Sequence, residues 1–166
     1  PDACTYIVFD QLDRDITGVA KLRAESEEFN LGRHFHFVNI RFLPGVWQSS
    51  REPILHGAVD QPYVGRLPLM DVNSDLSAGG FADQQIVLTA LAEQLIAGGL
   101  VAPNPVTEKI FLNLDDIASV ADMAAASDLS PRQLQRTLKR TTGFAPHDFL
   151  KVLRLQQSLN GQDTWS

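Results

Sequence analysis

Basic and amide side chains crowd one side of a short predicted helix over residues 131–142. Outside its apolar stripe, the helix carries Arg132, Gln135, Arg136, Lys139 and Arg140. An arginine can bond a guanine edge through two hydrogen bonds, and a glutamine can do the same with adenine. These residue types favour contact with nucleic acid. The alternative is an ordinary helical hairpin whose basic face is simply solvated.

Capping residues define the two helices that would position these side chains. Ser119 is followed three residues later by an aspartate, and Ser130 by a glutamine, which is capping-box spacing in both cases. Gly143 predicts the end of the second helix. We therefore predict two short helices and a tight turn over residues 119–143. This is the helix-turn-helix pattern, in which the second helix enters the DNA major groove.

The turn and the buried face of the second helix follow from the same stretch. Asp128 falls where the backbone is expected to become left-handed, a conformation that aspartate tolerates better than most residues. Leu129 is predicted to point back into the core. Helical spacing places Leu134, Leu138 and Thr141 on one face, which we expect to be the buried one.

The distribution of charge supports a local nucleic-acid contact, although the net charge is −6. Residues 1–127 hold eight Lys/Arg and seventeen Asp/Glu, a net of −9. Residues 128–159 hold six Lys/Arg and two Asp, a net of +4. A uniformly acidic chain would repel DNA phosphates, whereas a basic patch on an acidic body suits a local contact.

Cysteine usage and hydropathy indicate a cytoplasmic protein. The single cysteine, Cys4, excludes an internal disulfide and fits a reducing compartment. No apolar run approaches the roughly 20 residues needed to span a bilayer, so no membrane partner is predicted. The chain begins at Pro1 without Met or a signal-peptide pattern, from which we expect a piece of a longer protein.

The first hundred residues predict a mixed region rich in strands. Residues 5–9 and 16–20 are short β-prone runs, and residues 33–43 (RHFHFVNIRFL) are the best strand, with bulky groups predicting cover on both faces. Residues 67–72 are expected to form a short packed segment. An amphipathic helix is predicted over residues 82–97.

Pro103-Asn104-Pro105 is typical of a linker. We therefore predict a boundary between a first region at 1–102 and a DNA-binding module at 103–166. The fold class is α+β.

The run at residues 129–159, LSPRQLQRTLKRTTGFAPHDFLKVLRLQQSL, resembles the first half of the DNA-binding domain of AraC/XylS-type transcription regulators. The matching residues are ordered along the run: Leu129–Arg132, Leu134–Arg136, Lys139, Thr142–Gly143, Pro146, Phe149–Leu150 and Arg154. A second likeness covers residues 1–100. PDACTYIVF, IRFLPGVWQ and LPLMDV are similar to the sensor region ahead of some AraC-type domains, mainly at Arg41–Gly45. Such regions are similar to cupin-type β-barrels that bind an effector or mediate dimerisation.

The resemblance implies a bacterial transcription regulator that binds double-stranded promoter or operator DNA. It also implies a small-molecule effector, homodimerisation through the first region, and RNA polymerase as a partner in the full-length protein. Matched onto the family motif, the base readers are Arg132, Gln135 and Arg136, and the phosphate contacts are Ser130, Lys139 and Arg140. The alternative function is a non-DNA ligand-binding or interaction module.

The helix predicted over residues 146–159 corresponds to the helix that links two helix-turn-helix units in AraC-type domains. Because the chain stops at Ser166, we expect a fragment that lacks the second unit. The helix has two apolar groups, Phe149, Leu150 and Leu153 on one side and Val152, Leu155 and Leu159 on the other. We hypothesise that the second group, with Trp165, lacks cover within this chain.

Two histidines leave several interpretations open. His34 and His36 form a His-x-His on the predicted strand, which is also how the metal motif of catalytic cupins begins. That motif needs a carboxylate a few residues further on, and Asn39, Ile40 and Arg41 stand there instead. We predict no metal site, and histidines lining a sheet face are the favoured interpretation. A speculative effector pocket would contain His34, His36, Phe42 and Trp47.

Motifs of catalysis and of cofactor binding are missing from the sequence. It contains no Gly-x-Ser-x-Gly, no P-loop and no dinucleotide-binding fingerprint. We therefore predict no enzymatic activity and no cofactor. A metal-dependent cupin enzyme is the least favoured alternative.

Overall fold

A three-stranded antiparallel sheet forms the first part of the fold. The structure, a computed structural model, describes residues 4–13, 17–20, 34, 36–48, 63 and 65–160. Strand β1 is Thr5–Asp10, β2 is Thr17–Ala20 and β3 is Phe37–Phe42. The order is β2-β1-β3, and the central Ile7 pairs with Val19 on one side and Ile40 on the other. Six helices follow within the described residues, which confirms the α+β class.

Strand β3 has one buried face, which corrects the prediction of cover on both sides. Val38, Ile40 and Phe42 pack with the hydrophobic core, whereas Asn39 and Arg41 are exposed. Polar residues at alternate positions give a sheet with one solvated face, because neighbouring side chains of a strand point in opposite directions. The strand also begins four residues later than residue 33.

Helix α1, Leu69–Ala78, packs against the buried face of the sheet, and α2, Phe81–Ala97, packs against α1. The prediction for α2 is confirmed, with Leu91 and Leu95 buried. Helix α1 extends well beyond the short segment predicted at residues 67–72. The helix includes Asn, Ser and Asp, which are weak helix formers, and its N-cap has no side-chain hydrogen bond.

A buried side-chain amide links α1 to the end of β1 through hydrogen bonds. Asn73 is fully buried, and its Nδ2 donates to the Asp10 carbonyl at 3.0 Å. Its Oδ1 accepts from Gln11 Nε2 at 2.7 Å, and Ser77 Oγ donates to Gln11 Oε1 at 3.2 Å. The stability of α1 therefore comes largely from tertiary contacts.

The remaining helices build a second core. They are α3 (Pro105–Leu112), a short 3-10 helix (Leu114–Asp116), α4 (Val120–Ala126), α5 (Pro131–Thr142) and α6 (Pro146–Asn160). We call the buried residues of this part the helical cluster: Ile110, Leu114, Ile117, Met123, Ala124, Leu134, Leu138, Phe144, Phe149, Leu150, Val152 and Leu153. The sheet cluster is Ile7, Phe9, Val19, Phe42, Trp47, Leu69, Leu76, Leu91 and Leu95.

Within α6, Val152 contradicts the hypothesis of an uncovered second face, whereas Leu155 agrees with it. Val152 is 3% exposed and belongs to the helical cluster, because α6 packs against both α4 and α5. Leu155, by contrast, is 39% exposed. The side chains of Leu159 and Trp165 lie outside the described residues.

The segment predicted as a linker is packed. Asn104 is buried and caps α3, and Pro105 is the first residue of that helix. The division into regions 1–102 and 103–166 stays a prediction. Among the helices of the described ranges, none is both long and apolar enough to cross a membrane.

Candidate nucleic-acid interface

The first helix of the predicted motif begins with a capping box. Ser119 Oγ accepts from the Asp122 amide at 3.2 Å, and Asp122 Oδ2 accepts from the Ser119 amide at 2.8 Å. These two bonds satisfy backbone donors that the helix itself leaves unpaired. The start of α4 is therefore as predicted.

The turn between α4 and α5 has the predicted left-handed residue. Asp128 has φ of 56°, and the buried Ser127 donates from Oγ to the Met123 carbonyl at 2.7 Å. Leu129 packs against the helical cluster. The Lys109 ammonium lies 2.6 Å from Asp128 Oδ2 and joins α3 to the turn. No sequence pattern indicates this ion pair, because its partners belong to different elements.

Both ends of α5 also match the prediction. Ser130 Oγ accepts from the Gln133 amide at 3.3 Å, and Gln133 Oε1 accepts from the Ser130 amide at 2.9 Å. Gly143 ends the helix with φ of 80°, a left-handed conformation that suits glycine. The interface helix is therefore 12 residues long, with a defined residue at each end.

The buried side of α5 is a single row. Leu134, Leu138 and Thr142 are four residues apart and buried. Thr141, predicted on this face, is only half-buried. At about 100° per residue, positions spaced by four form one ridge along a helix, so Thr142 and not Thr141 continues the ridge.

A row of three arginines lies opposite this buried row. Arg132, Arg136 and Arg140 are also spaced by four, and each is offset from the buried row by two residues, or about 200° around the helix. All three are exposed. Within the described residues, none has a side-chain hydrogen bond or ion pair to the protein. Gln135 is also exposed, but on the flank of this row.

Two of the predicted phosphate contacts hold the ends of α5. Ser130 Oγ donates to Gln133 Oε1 at 2.8 Å, and Lys139 Nζ donates to the Gly143 carbonyl at 2.9 Å. Both side chains remain exposed. An ammonium has three donors, so Lys139 keeps two for another partner.

Helix α6 packs against α5 in the helical cluster. The Phe144 and Phe149 rings lie 6.0 Å apart, and both are buried in the helical cluster with Leu134 and Leu138. The Arg154 guanidinium donates to the Ile117 carbonyl, just before the start of α4, and to Gln157 Oε1 at 2.8 Å. Arg154 therefore positions α4. In the sequence, Arg154 is indicated only by its place in the run that resembles AraC-type domains.

The predicted effector residues are only partly brought together. Phe42 and Trp47 are buried, with ring centroids 5.7 Å apart. His34 and His36 lie before β3 and are exposed, so neither is on the strand as predicted. The part of the chain that the structure describes has no group of three or more His, Cys, Asp or Glu placed to hold a metal.

Comparison of the chain with models of protein families, with curated proteins and with solved structures found no match. The candidate interface is therefore described by its own residues and geometry. It consists of a helix–turn–helix segment, residues 119–143, that presents the arginine row on its exposed side.

The acid–base behaviour of two aspartates predicts how this segment responds to pH. Hydrogen bonding from Ser119 lowers the pKa of Asp122, and bonding to Lys109 lowers the pKa of Asp128, both below 3.8. Each carboxylate contributes stability that is present above the ordinary value and lost as pH falls through the lowered folded value. We expect Asp122→Asn to reduce the loss of thermal stability between about pH 5 and pH 3.

Thermal unfolding followed by circular dichroism measures this effect. Asp75→Asn is the matched control, since Asp75 is exposed and its carboxylate has no hydrogen bond within the described residues. An Asp122→Asn protein with the same acid sensitivity as the control would show that the capping box contributes nothing to the pH response.

Proposed function

We propose that the chain belongs to an AraC-type transcription regulator and binds double-stranded DNA through α5. The observation that carries the proposal is the row formed by Arg132, Arg136 and Arg140. Three exposed guanidinium groups stand on the side of a short helix opposite its core, and they have no partner among the residues that the structure describes. A helix presented in this way fits the major groove, and arginine is well suited to guanine edges and to phosphates.

Electrostatics support the same assignment. The segment 128–159 has a net charge of +4 while residues 1–127 have a net charge of −9, so this segment is the part of the chain where phosphate is favoured. The capping box at Ser130 and the bond from Lys139 to Gly143 hold the helix ends, which reduces the entropy lost when the helix docks.

Individual roles are proposed from the resemblance to the family motif. Arg132, Gln135 and Arg136 are proposed to read bases, while Ser130 and Lys139 contact phosphates. Arg140 is proposed to contact a phosphate from the far end of the arginine row, where the helix leaves the groove. Phosphate contacts fix the register of the helix on the duplex but carry no sequence information.

The sheet part, which comprises β1–β3, α1 and α2, is proposed to belong to the regulatory region. Strands β1–β3 would form part of a cupin-like barrel that binds a small-molecule effector and mediates homodimerisation. Phe42 and Trp47 are the residues of the predicted pocket that lie together. In this proposal the protein acts in the bacterial cytoplasm and contacts RNA polymerase at the promoter.

The test uses Arg136→Ala. Duplexes are first enriched from a random pool with the wild-type protein, and binding is then measured by fluorescence anisotropy. We expect a loss of about 1–3 kcal/mol, or roughly 5- to 150-fold in Kd, together with relaxed preference at one base pair.

Arg66→Ala is the matched control. Arg66 is exposed and precedes α1, so its substitution removes the same charge away from the interface. A loss that is equal on all sequences would make Arg136 a phosphate contact. If the wild-type protein enriches no duplex and binds none in low salt, the proposed function is wrong.

A further inference from the structure

One buried side chain contacts both parts of the described chain. The sheet part comprises β1–β3, α1 and α2, and the helical part comprises α3–α6. Asn104 is 9% exposed, and its Nδ2 donates to the Gly45 carbonyl at 3.1 Å. Its Oδ1 accepts from the amides of Val106 and Thr107 at 3.2 and 3.3 Å. The same amide group therefore caps α3 and holds the turn that follows β3.

The turn is shaped for this contact. Gly45 has φ of +77°, and a Cβ placed on it would lie 2.4 Å from Asn104 Nδ2. Asn104 and Thr107, which face Gly45, are both buried. Since a side chain at position 45 would displace the amide, the close approach depends on glycine.

Backbone pairing reinforces the junction next to the turn. The Ala102 amide donates to the Val46 carbonyl at 2.9 Å, and the Gln48 amide donates to the Leu100 carbonyl at 2.8 Å. Between them, Trp47 forms a β-bridge with Val101. The chain that enters α3 is thus paired with the segment carrying Trp47 of the sheet cluster.

Helix α3 belongs to the helical part at its other end. Ile110 is fully buried in the helical cluster, and Lys109 forms the ion pair with Asp128 in the turn before α5. A helix of eight residues therefore has its cap fixed by the sheet part and its body fixed by the helix–turn–helix segment.

We infer that the Asn104–Gly45 junction joins the two parts into one cooperative unit. A ligand that binds α5 then stabilises the sheet, and a ligand that binds the sheet stabilises α5, because each ligand shifts the folding equilibrium of the whole unit. The inference rests on the proposed function for the identity of the ligand at α5. The cooperativity itself does not depend on that function.

Urea unfolding tests the cooperativity without DNA. In a Trp165→Phe background, Trp47 is the single tryptophan and reports on the sheet part, while circular dichroism at the helical minimum reports on all six α-helices of the described residues, of which α3–α6 belong to the helical part. We expect the two signals to change at one midpoint in this parent protein. Two separate transitions in the parent would overturn the inference.

Two asparagine variants separate the junction from helix capping. Asn104→Ser keeps a side chain that can cap α3 but removes the donor to Gly45, and we expect it to split the two signals. Asn113→Ala removes the bond from Nδ2 to the Lys109 carbonyl at the exposed end of the same helix, and the signals should stay together. The inference fails if Asn104→Ser leaves the signals coincident, or if both variants split them.

Hydrogen exchange adds a test that needs only the parent protein. A mixed-sequence 20-base-pair duplex is added in low salt at 100 times its Kd. In one cooperative unit, the duplex should slow exchange at the Val46 and Ala102 amides by about 100-fold, as much as in the core of α5. Protection confined to the amides of α3–α6 would overturn the inference. If the duplex protects no amide at all, the proposed function fails and the urea experiment still decides the coupling.

Discussion

Replacing Phe149 by alanine is expected to destabilise the protein by about 3–5 kcal/mol. Phe149 is fully buried, and its ring packs 6.0 Å from the ring of Phe144. It shares the helical cluster with Leu134 and Leu138, which form the buried row of α5. The substitution removes apolar surface and leaves a cavity that neighbouring side chains fill only in part. Since small domains are stable by about 5–15 kcal/mol, the loss is a large fraction of the total.

Urea unfolding measures this loss, and Leu155→Ala on the same helix is its control. Leu155 is 39% exposed, so we expect the control to cost about 1 kcal/mol or less. Because Phe149 packs behind α5, the Phe149→Ala variant should also lose affinity for DNA as it unfolds on warming. A cost no greater than that of Leu155→Ala would mean that α6 is not an essential support of the interface.

Asn73→Asp is expected to be almost as damaging, although the two side chains have nearly the same shape. The Asn73 amide donates to the Asp10 carbonyl at 3.0 Å from a fully buried position. An aspartate places a carboxylate oxygen against that carbonyl, so two acceptors face each other at a fully buried position that now carries a charge. An uncompensated buried charge costs about 3–5 kcal/mol.

The dependence on pH distinguishes this mechanism from a general packing defect. Burial raises the pKa of an introduced carboxyl group, and the protonated form regains a donor. The penalty relative to wild type should therefore be full near neutral pH and shrink as pH falls. Ser74→Asp adds the same charge at the next, exposed position and should change the free energy of unfolding by about 0.5 kcal/mol or less. A penalty for Asn73→Asp that does not vary with pH would refute the buried-charge explanation.

Local chemistry made α5 predictable. Ser130, Gln133 and Gly143 act through bonds within a few residues, so the sequence alone contains the information that defines both ends of the helix. The same holds for the left-handed Asp128 and for the start of α4. The spacing of the arginine row is also visible in the sequence, but its exposure and its lack of partners in the described part of the chain are properties of the fold.

Long-range contacts explain what could not be predicted. Helix α1 has weak propensity and depends on Asn73, whose partner Asp10 is 63 residues away. Asn104 resembles a linker residue until its contact with Gly45, 59 residues away, is known. Helical spacing predicts that Val152 faces away from the core if α6 packs against one neighbouring helix. In the structure α6 packs against both α4 and α5, so Val152 is also buried in the helical cluster.

The left-handed turn residue has a consequence for how this segment can evolve. Backbone conformation alone would favour glycine at position 128, since φ of 56° is unfavourable for most side chains. Asp128 adds the contact with Lys109, so the choice of residue in the turn is tied to a position on another helix. Among relatives, substitution at 109 should therefore accompany substitution at 128. Frequent glycine at 128 beside an unchanged lysine at 109 would show that the two positions vary independently.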